Sequence, residues 1–239
     1  MPHLTVADLH IELVRKNIRS LRLTVYAPDG RIRVAAPLRT PEAAIHEFVS
    51  TRRAWIRRHQ EKFEAREKPA ELTYESGETH FYQGLPYPLR VQQATGPARV
   101  ALLDGQLCLT VPAGATRTQR QLTLTAWYRA RLKEQLPALL AHWEPIVGVR
   151  ATAWGVKQMK TRWGTCNIRA KRIWLNLELI KHPTPSLEYV VVHELVHLHE
   201  RLHNARFWGL MDQFMPDWRA ASAALKRTAL APSPGSDAC

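Results

Sequence analysis

Two histidines and a glutamate in the segment His193-Glu194-Leu195-Val196-His197 have the residue types and the spacing of a catalytic metal site. On an α-helix, a spacing of four residues places His193 and His197 on one face, about one turn apart, where both imidazoles can bind one metal ion. Glu194 follows the first histidine, so its carboxylate can reach a water molecule at the metal without being the obvious ligand. The pattern predicts hydrolysis by a metal-activated water, with Glu194 as the general base.

A catalytic zinc site needs a third protein ligand and keeps one position open for water. No glutamate occurs after Glu200, which disfavours a site completed by a downstream glutamate unless Glu200 itself serves. His203, six residues after His197, is the predicted third ligand. We expect the chain to turn at Leu202-His203-Asn204, because asparagine tolerates the left-handed conformation that ends helices. One zinc ion per chain follows from this ligand set.

Two polar residues beside the ligand pair have less defined roles. Glu200 lies three residues after His197, on the same side of the predicted helix. Its two open interpretations are a residue that holds a ligand histidine through a hydrogen bond and a plain surface carboxylate. His199 points away from the ligand pair, and we interpret it as structural or exposed.

The surrounding sequence predicts the elements that must position this helix. Residues 20–26 and 31–34 alternate around the turn Pro28-Asp29-Gly30, which is typical of a β-hairpin. Apolar spacing together with glycine and proline punctuation predicts the other elements. The expected helices are 41–68, 116–142, 185–201, 205–214 and 218–230, and the expected strands lie within 9–37, 71–112, 149–159 and 172–180.

Composition limits the class of protein and its partners. The chain has 239 residues, a formal net charge of +13 and three widely spread cysteines. Such cysteine usage fits a reducing compartment, and the N-terminus lacks the features of a signal peptide, so we expect a cytoplasmic protein. No apolar run is long enough to cross a membrane. The basic charge also admits nucleotides or nucleic acid as partners beside a polypeptide substrate.

Three blocks of the sequence resemble a known family of metallopeptidases. They are Lys160-Thr-Arg-Trp-Gly-Thr-Cys166, the segment 173–180, and the stretch from Tyr189 through His203-Asn-Ala-Arg-Phe-Trp208, followed by Met215-Pro-Asp-Trp218. Together they are similar to the YgjP-like metallopeptidase family, relatives of the SprT-like and WLM zincins. The resemblance implies a zincin-like C-terminal domain with the ligands His193, His197 and His203. It also implies Glu194 as the catalytic base, while Thr165 stands where the family often has serine.

The first of these blocks is expected to lie beside the active-site cleft. In zincins a strand runs along the cleft rim, and an extended substrate can pair with its edge. If residues 172–180 form that strand, Trp163 borders the pocket and Gly164 permits a tight turn before it. Cys166 is expected to be a small buried thiol and not a metal ligand. Arg162 and Arg206 are candidates for binding a carboxylate or phosphate, with structural ion pairing as the equal alternative.

These observations together predict an α+β protein in two parts. We expect a β-rich N-terminal region at 1–115 that contains the helix 41–68, a zincin-like catalytic domain at 116–230, and a disordered tail at 231–239. The favoured function is a zinc-dependent metallopeptidase. One alternative is a metal-dependent hydrolase of nucleotides or other phosphate esters, such as a pyrophosphatase. Another is a nucleic-acid-associated binding protein with a structural metal, which the presence of Glu194 disfavours because a structural site needs no base.

Overall fold

The computed structural model describes residues 3–26, 29–64 and 72–227. Contacts within the chain divide it into two compact units, Met1–Glu71 and Leu72–Cys239. Helices and mixed sheets occur in both units, so the chain has the predicted α+β class. None of the helices in the described ranges is long and apolar enough to cross a membrane.

The first unit contains one four-stranded sheet and two helices. Its strands are β1 (His3–Val6), β2 (Leu9–Lys16), β3 (Arg22–Tyr26) and β4 (Arg31–Pro37), in the order β1-β2-β4-β3. The antiparallel pair β3–β4 confirms the predicted hairpin. Helices α1 (Glu42–Ser50) and α2 (Arg53–Glu64) follow. The core of this unit joins sheet and helix residues such as Val34 and Ile45, both fully buried.

The single helix predicted at 41–68 is wrong, because two helices occupy its described part. The break lies at Thr51, whose hydroxyl donates to the backbone carbonyls of Glu47 and Phe48 at 3.0 and 3.1 Å. Threonine competes in this way with the backbone hydrogen bonds that would continue a helix. Residues 65–68 lie outside the described residues.

A second four-stranded sheet begins the other unit. Its strands are β5 (Thr79–Tyr82), β6 (Leu85–Gln93), β7 (Arg99–Leu103) and β8 (Gln106–Val111), in the order β5-β6-β8-β7. Leu89, Leu107 and Leu109 on this sheet pack against Trp127 of helix α3 (Arg117–Val147). These apolar contacts group residues 72–115 with the C-terminal part, whereas the sequence-based division at 115 separates them.

Helix α3 starts where the sequence predicts and continues beyond its expected end at 142. The Thr116 side chain accepts a hydrogen bond from the Gln119 backbone, and the Gln119 side chain accepts one from the Thr116 backbone, which forms a capping box. The helix ends at Gly148, which adopts a left-handed conformation with φ of 72°. Its buried face, which includes Leu132 and Leu136, supports the elements of the metal site.

A third sheet lies next to the predicted metal-binding helix. Its strands are β9 (Ala153–Lys157), β10 (Gly164–Asn167) and β11 (Arg172–Asn176), in the order β10-β11-β9. The strand expected at 172–180 therefore ends early and lies at the centre of the sheet. A 3₁₀ helix, Leu177–Lys181, replaces its second half, because the Asn176 side chain accepts from the Glu178 backbone N–H and starts the helical turn. The edge strand on the side of the site is β10.

Three helices complete the second unit. Helix α4 (Thr184–Val196) carries His193 and Glu194. Helices α5 (Ala205–Phe214) and α6 (Trp218–Arg227) follow. The bounds of α5 match the prediction, while α4 ends before the expected residue 201. Helix α4 is buried on almost every side, from Tyr189 through Val196, because α3, α5, α6 and β10 all pack against it. The predicted tail 231–239 and the end of the last predicted helix at 228–230 lie outside the described residues.

Candidate metal site

The three predicted ligands meet at one point of the structure. The Nε2 atom of His203 lies 3.0 Å from Nε2 of His193 and 3.1 Å from Nε2 of His197. His193 and His197 are buried, with exposed fractions of 1% and 7%, and His203 is half-buried. Three side-chain nitrogens at this separation form a group that can hold a metal ion.

A hydrogen bond at Nδ1 of His197 determines that its other ring nitrogen, Nε2, is the one that can accept at the point where the three histidines meet. Its Nδ1 lies 3.0 Å from the backbone carbonyl of Glu200, and a carbonyl oxygen can only accept. In the neutral ring, Nδ1 therefore carries the proton and donates it, so Nε2 presents a lone pair toward His193 and His203. A backbone partner of this kind is the usual way that a protein orients a metal-binding imidazole.

Burial favours the uncharged form of His193 and His197 by lowering their pKa values. It lowers the pKa of His193 well below the usual value, and the neighbouring His197 and His203 lower it further. Burial also lowers the pKa of His197, although the carbonyl of Glu200 opposes this effect. Neutral imidazoles with converging lone pairs repel one another unless a cation lies between them, so this donor set fits a bound divalent metal.

The chain turns directly after His197 to bring His203 into the site. His197 caps the C-terminal end of α4, and the Glu200 backbone N–H donates to the carbonyl of Val196 at 3.1 Å. No residue between 197 and 204 has a positive φ, so this turn does not require a glycine. The expectation that Asn204 adopts a left-handed conformation is wrong. Asn204 is extended, with φ of −92°, and its side chain caps α5 by accepting from the Phe207 backbone N–H at 3.0 Å.

Glu200 contributes to this turn through both its backbone and its side chain. Its carbonyl accepts from His197, as described above, and its carboxylate accepts from the Leu202 backbone N–H at 3.1 Å. That second hydrogen bond is the main reason why the pKa of Glu200 is lowered. Arg206, exposed on α5, lies 3.8 Å from the same carboxylate and forms an ion pair with it. Of the two interpretations left open for Arg206, the geometry favours structural ion pairing.

Two aromatic residues of α5 pack around the three imidazoles. Phe207 is fully buried, and its ring centroid lies 4.7–4.9 Å from those of all three histidines. Trp208 stacks on His203 at 5.5 Å and donates from Nε1 to the His203 carbonyl at 3.1 Å. These side chains restrict the orientations of the imidazoles. Sequence reasoning did not select them, although their positions at the start of a helix capped by Asn204 could have indicated them.

Glu194 is fully buried beside the backbone of β10. A Cβ atom placed on Gly164 would lie 2.3 Å from Glu194 Oε1 and 2.7 Å from its carboxyl carbon. Gly164 has no positive φ, so the expected tight turn is not the reason for glycine at this position. The reason is the close approach of the β10 backbone to the carboxylate of Glu194.

The other predicted site residues lie in different environments. Trp163 is buried in the core, with its ring edge-on to His182 at 4.8 Å, so it supports the loop before β10 and does not border an open pocket. Cys166 is a free thiol outside the group of converging histidines, and it is half-buried where the sequence predicts a buried side chain. Burial raises the pKa of Cys166 to about 12, with a smaller contribution from the charge of Glu194. His199 is structural, because its Nε2 lies 2.8 Å from the carbonyl of Val147.

An open cavity of about 700 Å³ adjoins the metal-binding group. His197 forms part of its wall, together with Cys166 of β10. Three arginines also line it, namely Arg162, Arg169 and Arg201. Only the first of them was a candidate from sequence, because nothing in the local pattern connects the other two with the site.

Comparisons with known proteins identify the family. The family model described as YgjP-like, metallopeptidase domain, matches residues 19–228. No curated protein gives a significant match. Among solved structures, the crystal structure of the metallopeptidase zymogen of Pyrococcus abyssi abylysin is similar, with 22% identity and a TM-score of 0.34 over 38% of this chain and 89% of that chain. The likeness to that structure is too small to carry an argument, so the assignment depends on the family model. Since that model covers well over half of the chain, this protein belongs to the YgjP-like family of metallopeptidases.

Proposed function

We propose that this protein is a zinc-dependent metallopeptidase that hydrolyses peptide bonds in polypeptides. The observation that carries the proposal is the convergence of three histidine Nε2 atoms, together with the fully buried Glu194 that follows His193 on α4. His193, His197 and His203 would hold the metal. Glu194 would act as the general base.

Three imidazole nitrogens favour zinc among the divalent metals that family members could bind. When bound, zinc lowers the pKa of water towards about 7 and polarises a substrate carbonyl. The described residues contain one such group of converging ligands, which supports one zinc ion per chain.

The proposed role of Glu194 follows from its environment. Glu194 directly follows His193 on α4 and is not among the three converging ligand residues. The adjacent backbone of Gly164 restricts its position on one side. From there Glu194 would take a proton from the attacking water and deliver it to the leaving amine, which is the work of a general base that becomes a general acid.

The position of β10 supports a polypeptide substrate. Strand β10 lies at the edge of its sheet and packs against α4, the helix that carries His193 and Glu194 and is capped by His197. An extended peptide can add to such an edge through main-chain hydrogen bonds. This arrangement would bring a peptide bond next to the proposed base.

One observation favours a second candidate function. The three arginines of the cavity beside His197 are suited to binding phosphate groups as well as carboxylates. A metal-dependent hydrolase of nucleotides or other phosphate esters would use the same ligands and the same base. Phosphate chemistry also requires several cations around the transferred group.

A side-by-side hydrolysis assay separates the two candidates. The zinc-loaded protein and its Glu194→Gln variant are incubated with unfolded polypeptides and with nucleoside triphosphates, and products are identified by mass spectrometry. We expect cleavage of polypeptide by the wild type alone, and loss of that activity when a chelator removes the metal. Efficient triphosphate hydrolysis with every polypeptide left intact would replace the peptidase proposal with the phosphohydrolase.

A further inference from the structure

The cavity beside His197 has an unusual charge pattern for an open surface. Arg162, Arg169 and Arg201 line it, and no aspartate or glutamate does. None of the three guanidinium groups forms an ion pair with an acidic residue of 3–26, 29–64 or 72–227. Such a concentration of one sign of charge attracts anions into the cleft.

The acidic residues closest along the chain do not neutralise this charge. The carboxylate of Glu200, next to Arg201, is engaged by the Leu202 backbone N–H and by Arg206 on α5. Glu194 is fully buried beside Gly164 and does not line the cavity. Three cations therefore face the cavity solvent without an internal counter-charge.

Each arginine stands on a loop whose backbone is held by a side chain. We call residues 158–162, 168–171 and 198–202 the rim loops. In the first, Asn176 Nδ2 donates to the carbonyls of Met159 and Arg162 at 2.9 and 2.7 Å. In the second, which carries Arg169, the Asn167 side chain accepts from the Ala170 backbone N–H at 3.0 Å. In the third, the Glu200 carboxylate accepts from the backbone beyond Arg201.

This support matters for recognition because a fixed backbone reduces the entropy that a binding residue loses. Long arginine side chains lose rotamer freedom when they bind, but rim loops held by Asn176, Asn167 and Glu200 need no further ordering. The planar guanidinium group also matches a carboxylate with two parallel hydrogen bonds. The cavity thus has the charge, the hydrogen-bonding geometry and the support to bind a carboxylate.

We propose that this cavity selects polypeptide substrates that place a carboxylate next to the scissile bond, through Arg162, Arg169 and Arg201. The proposal rests on the peptidase function proposed above and specifies its substrate class. The carboxylate comes either from an aspartate or glutamate side chain or from the C-terminus of the peptide. Because His197 also lines the cavity, this anion would bind within a few residues of the bond that is cleaved.

The test compares kcat/KM for peptides that differ at one position. Glu, Gln or Lys is placed in turn at each of three positions on either side of the bond, with a free or an amidated C-terminus. We expect the wild type to prefer the acidic peptide at one position or the free terminus. Preference for Glu in amidated peptides identifies a side-chain carboxylate, and preference for the free terminus identifies the α-carboxylate, so either result supports the proposal.

Three single variants and one matched control locate the effect. Arg169→Gln and Arg201→Gln are each expected to reduce the acidic preference about five-fold, mainly through KM, because a solvent-exposed charge contact contributes about 1 kcal/mol or less. Arg150→Gln removes the same charge from an exposed position outside this cavity and should keep the preference. Arg169→Glu should shift the preference toward the Lys peptide, and added salt should weaken the preference of the wild type.

A binding measurement gives a readout that does not depend on turnover. Fluorescence anisotropy with the zinc-loaded Glu194→Gln variant should show tighter binding of the acidic peptide than of its Gln counterpart, and Arg169→Gln in that background should reduce the difference about five-fold. Equal cleavage of Glu and Gln peptides by the wild type, or a preference that survives in both arginine variants, would overturn this inference alone. If the wild type cleaves no polypeptide, the proposed function is wrong and the inference falls with it.

Discussion

Helix α4 and the three rim loops contribute to one site under opposite conditions of burial. The helix is enclosed from Tyr189 through Val196 and carries His193 and Glu194, both essentially without solvent exposure. The rim loops expose Arg162, Arg169 and Arg201. In the helix, packing on all sides holds each side chain, whereas in the rim loops a few hydrogen bonds hold the backbone and leave the side chains in water.

This difference separates two tasks of a hydrolase. Groups that must act on one bond need fixed positions, because a misplacement of about 1 Å can reduce the rate roughly 100-fold. Groups that recognise varied substrates tolerate more freedom, and exposed charges can be exchanged at little cost in stability. We therefore expect substitutions in α4 to change turnover greatly, and substitutions in the rim loops to change selection or local stability.

The largest effect is expected for Glu194→Gln. The amide has the same shape but cannot take a proton, and removal of a general base lowers kcat roughly 10²–10⁴-fold. Zinc content and thermal midpoint should stay near those of the wild type. Unchanged kcat in this variant would show that Glu194 has no part in the reaction.

His203→Ala tests the ligand that lies directly after the third rim loop. Loss of a direct ligand should weaken zinc binding by more than the roughly 10–100-fold typical for loss of a ligand's hydrogen-bonding partner. His199→Ala is the matched control, because His199 lies on that loop and contacts the carbonyl of Val147 instead. Competition with a chelator measures both affinities, and equal zinc retention by the two variants would move the third ligand elsewhere.

Gly164→Ala tests the contact between β10 and α4. The new Cβ would lie 2.3 Å from Glu194 Oε1, so the carboxylate or the strand must move. We expect kcat to fall by roughly 10–100-fold while zinc affinity stays nearly constant. Gly209→Ala is the control, since its Cβ meets nothing within 4 Å and alanine within α5 is expected to stabilise the helix by up to about 1 kcal/mol. Full activity of the first variant would contradict the proposed constraint on Glu194.

Asn176→Ala tests how the first rim loop is held. This amide is fully buried, and its four hydrogen bonds join Met159, Arg162 and Glu178. Because the substitution leaves buried backbone groups without their partner, the free energy of unfolding should fall by about 2–4 kcal/mol. Asn167→Ala, which removes one hydrogen bond at an exposed position, should cost about 1 kcal/mol or less. Equal losses in denaturant unfolding would mean that burial does not distinguish these two loops.

The last expected effect is on the pH dependence of stability, through His182. Burial lowers the pKa of His182 to about 4, against about 6.5 in the unfolded chain. Between these values the unfolded state takes up a proton that the folded state does not bind, so stability falls as pH decreases from 6.5 to 4. In metal-free protein, His182→Gln should reduce this slope by at most about 1.4 kcal/mol per pH unit. If the plots of stability against pH for wild type and variant are parallel, the lowered pKa of His182 is contradicted.

Part of this protein can be predicted from sequence because the relevant signals are local. The spacing of His193 and His197 acts through the helical repeat alone. The turn residues between β3 and β4 and the breakers around α5 act over a few positions, and both elements are where the sequence predicts them. The resemblance to the YgjP-like metallopeptidases also follows from short blocks, and the family model confirms it.

Other features depend on which distant segments pack together. The sequence predicts a turn at Gly164 and an ordinary strand position at Asn176, yet Gly164 makes room for Glu194 and Asn176 holds the loop of Arg162. The same holds for Arg169 and Arg201, which lie about thirty residues apart along the chain and line one cavity. Helical periodicity determines which side chains of α4 share a face. Which residues pack against Glu194 is decided only by the tertiary structure, because β10 pairs with the distant β11 and both strands pack on α4.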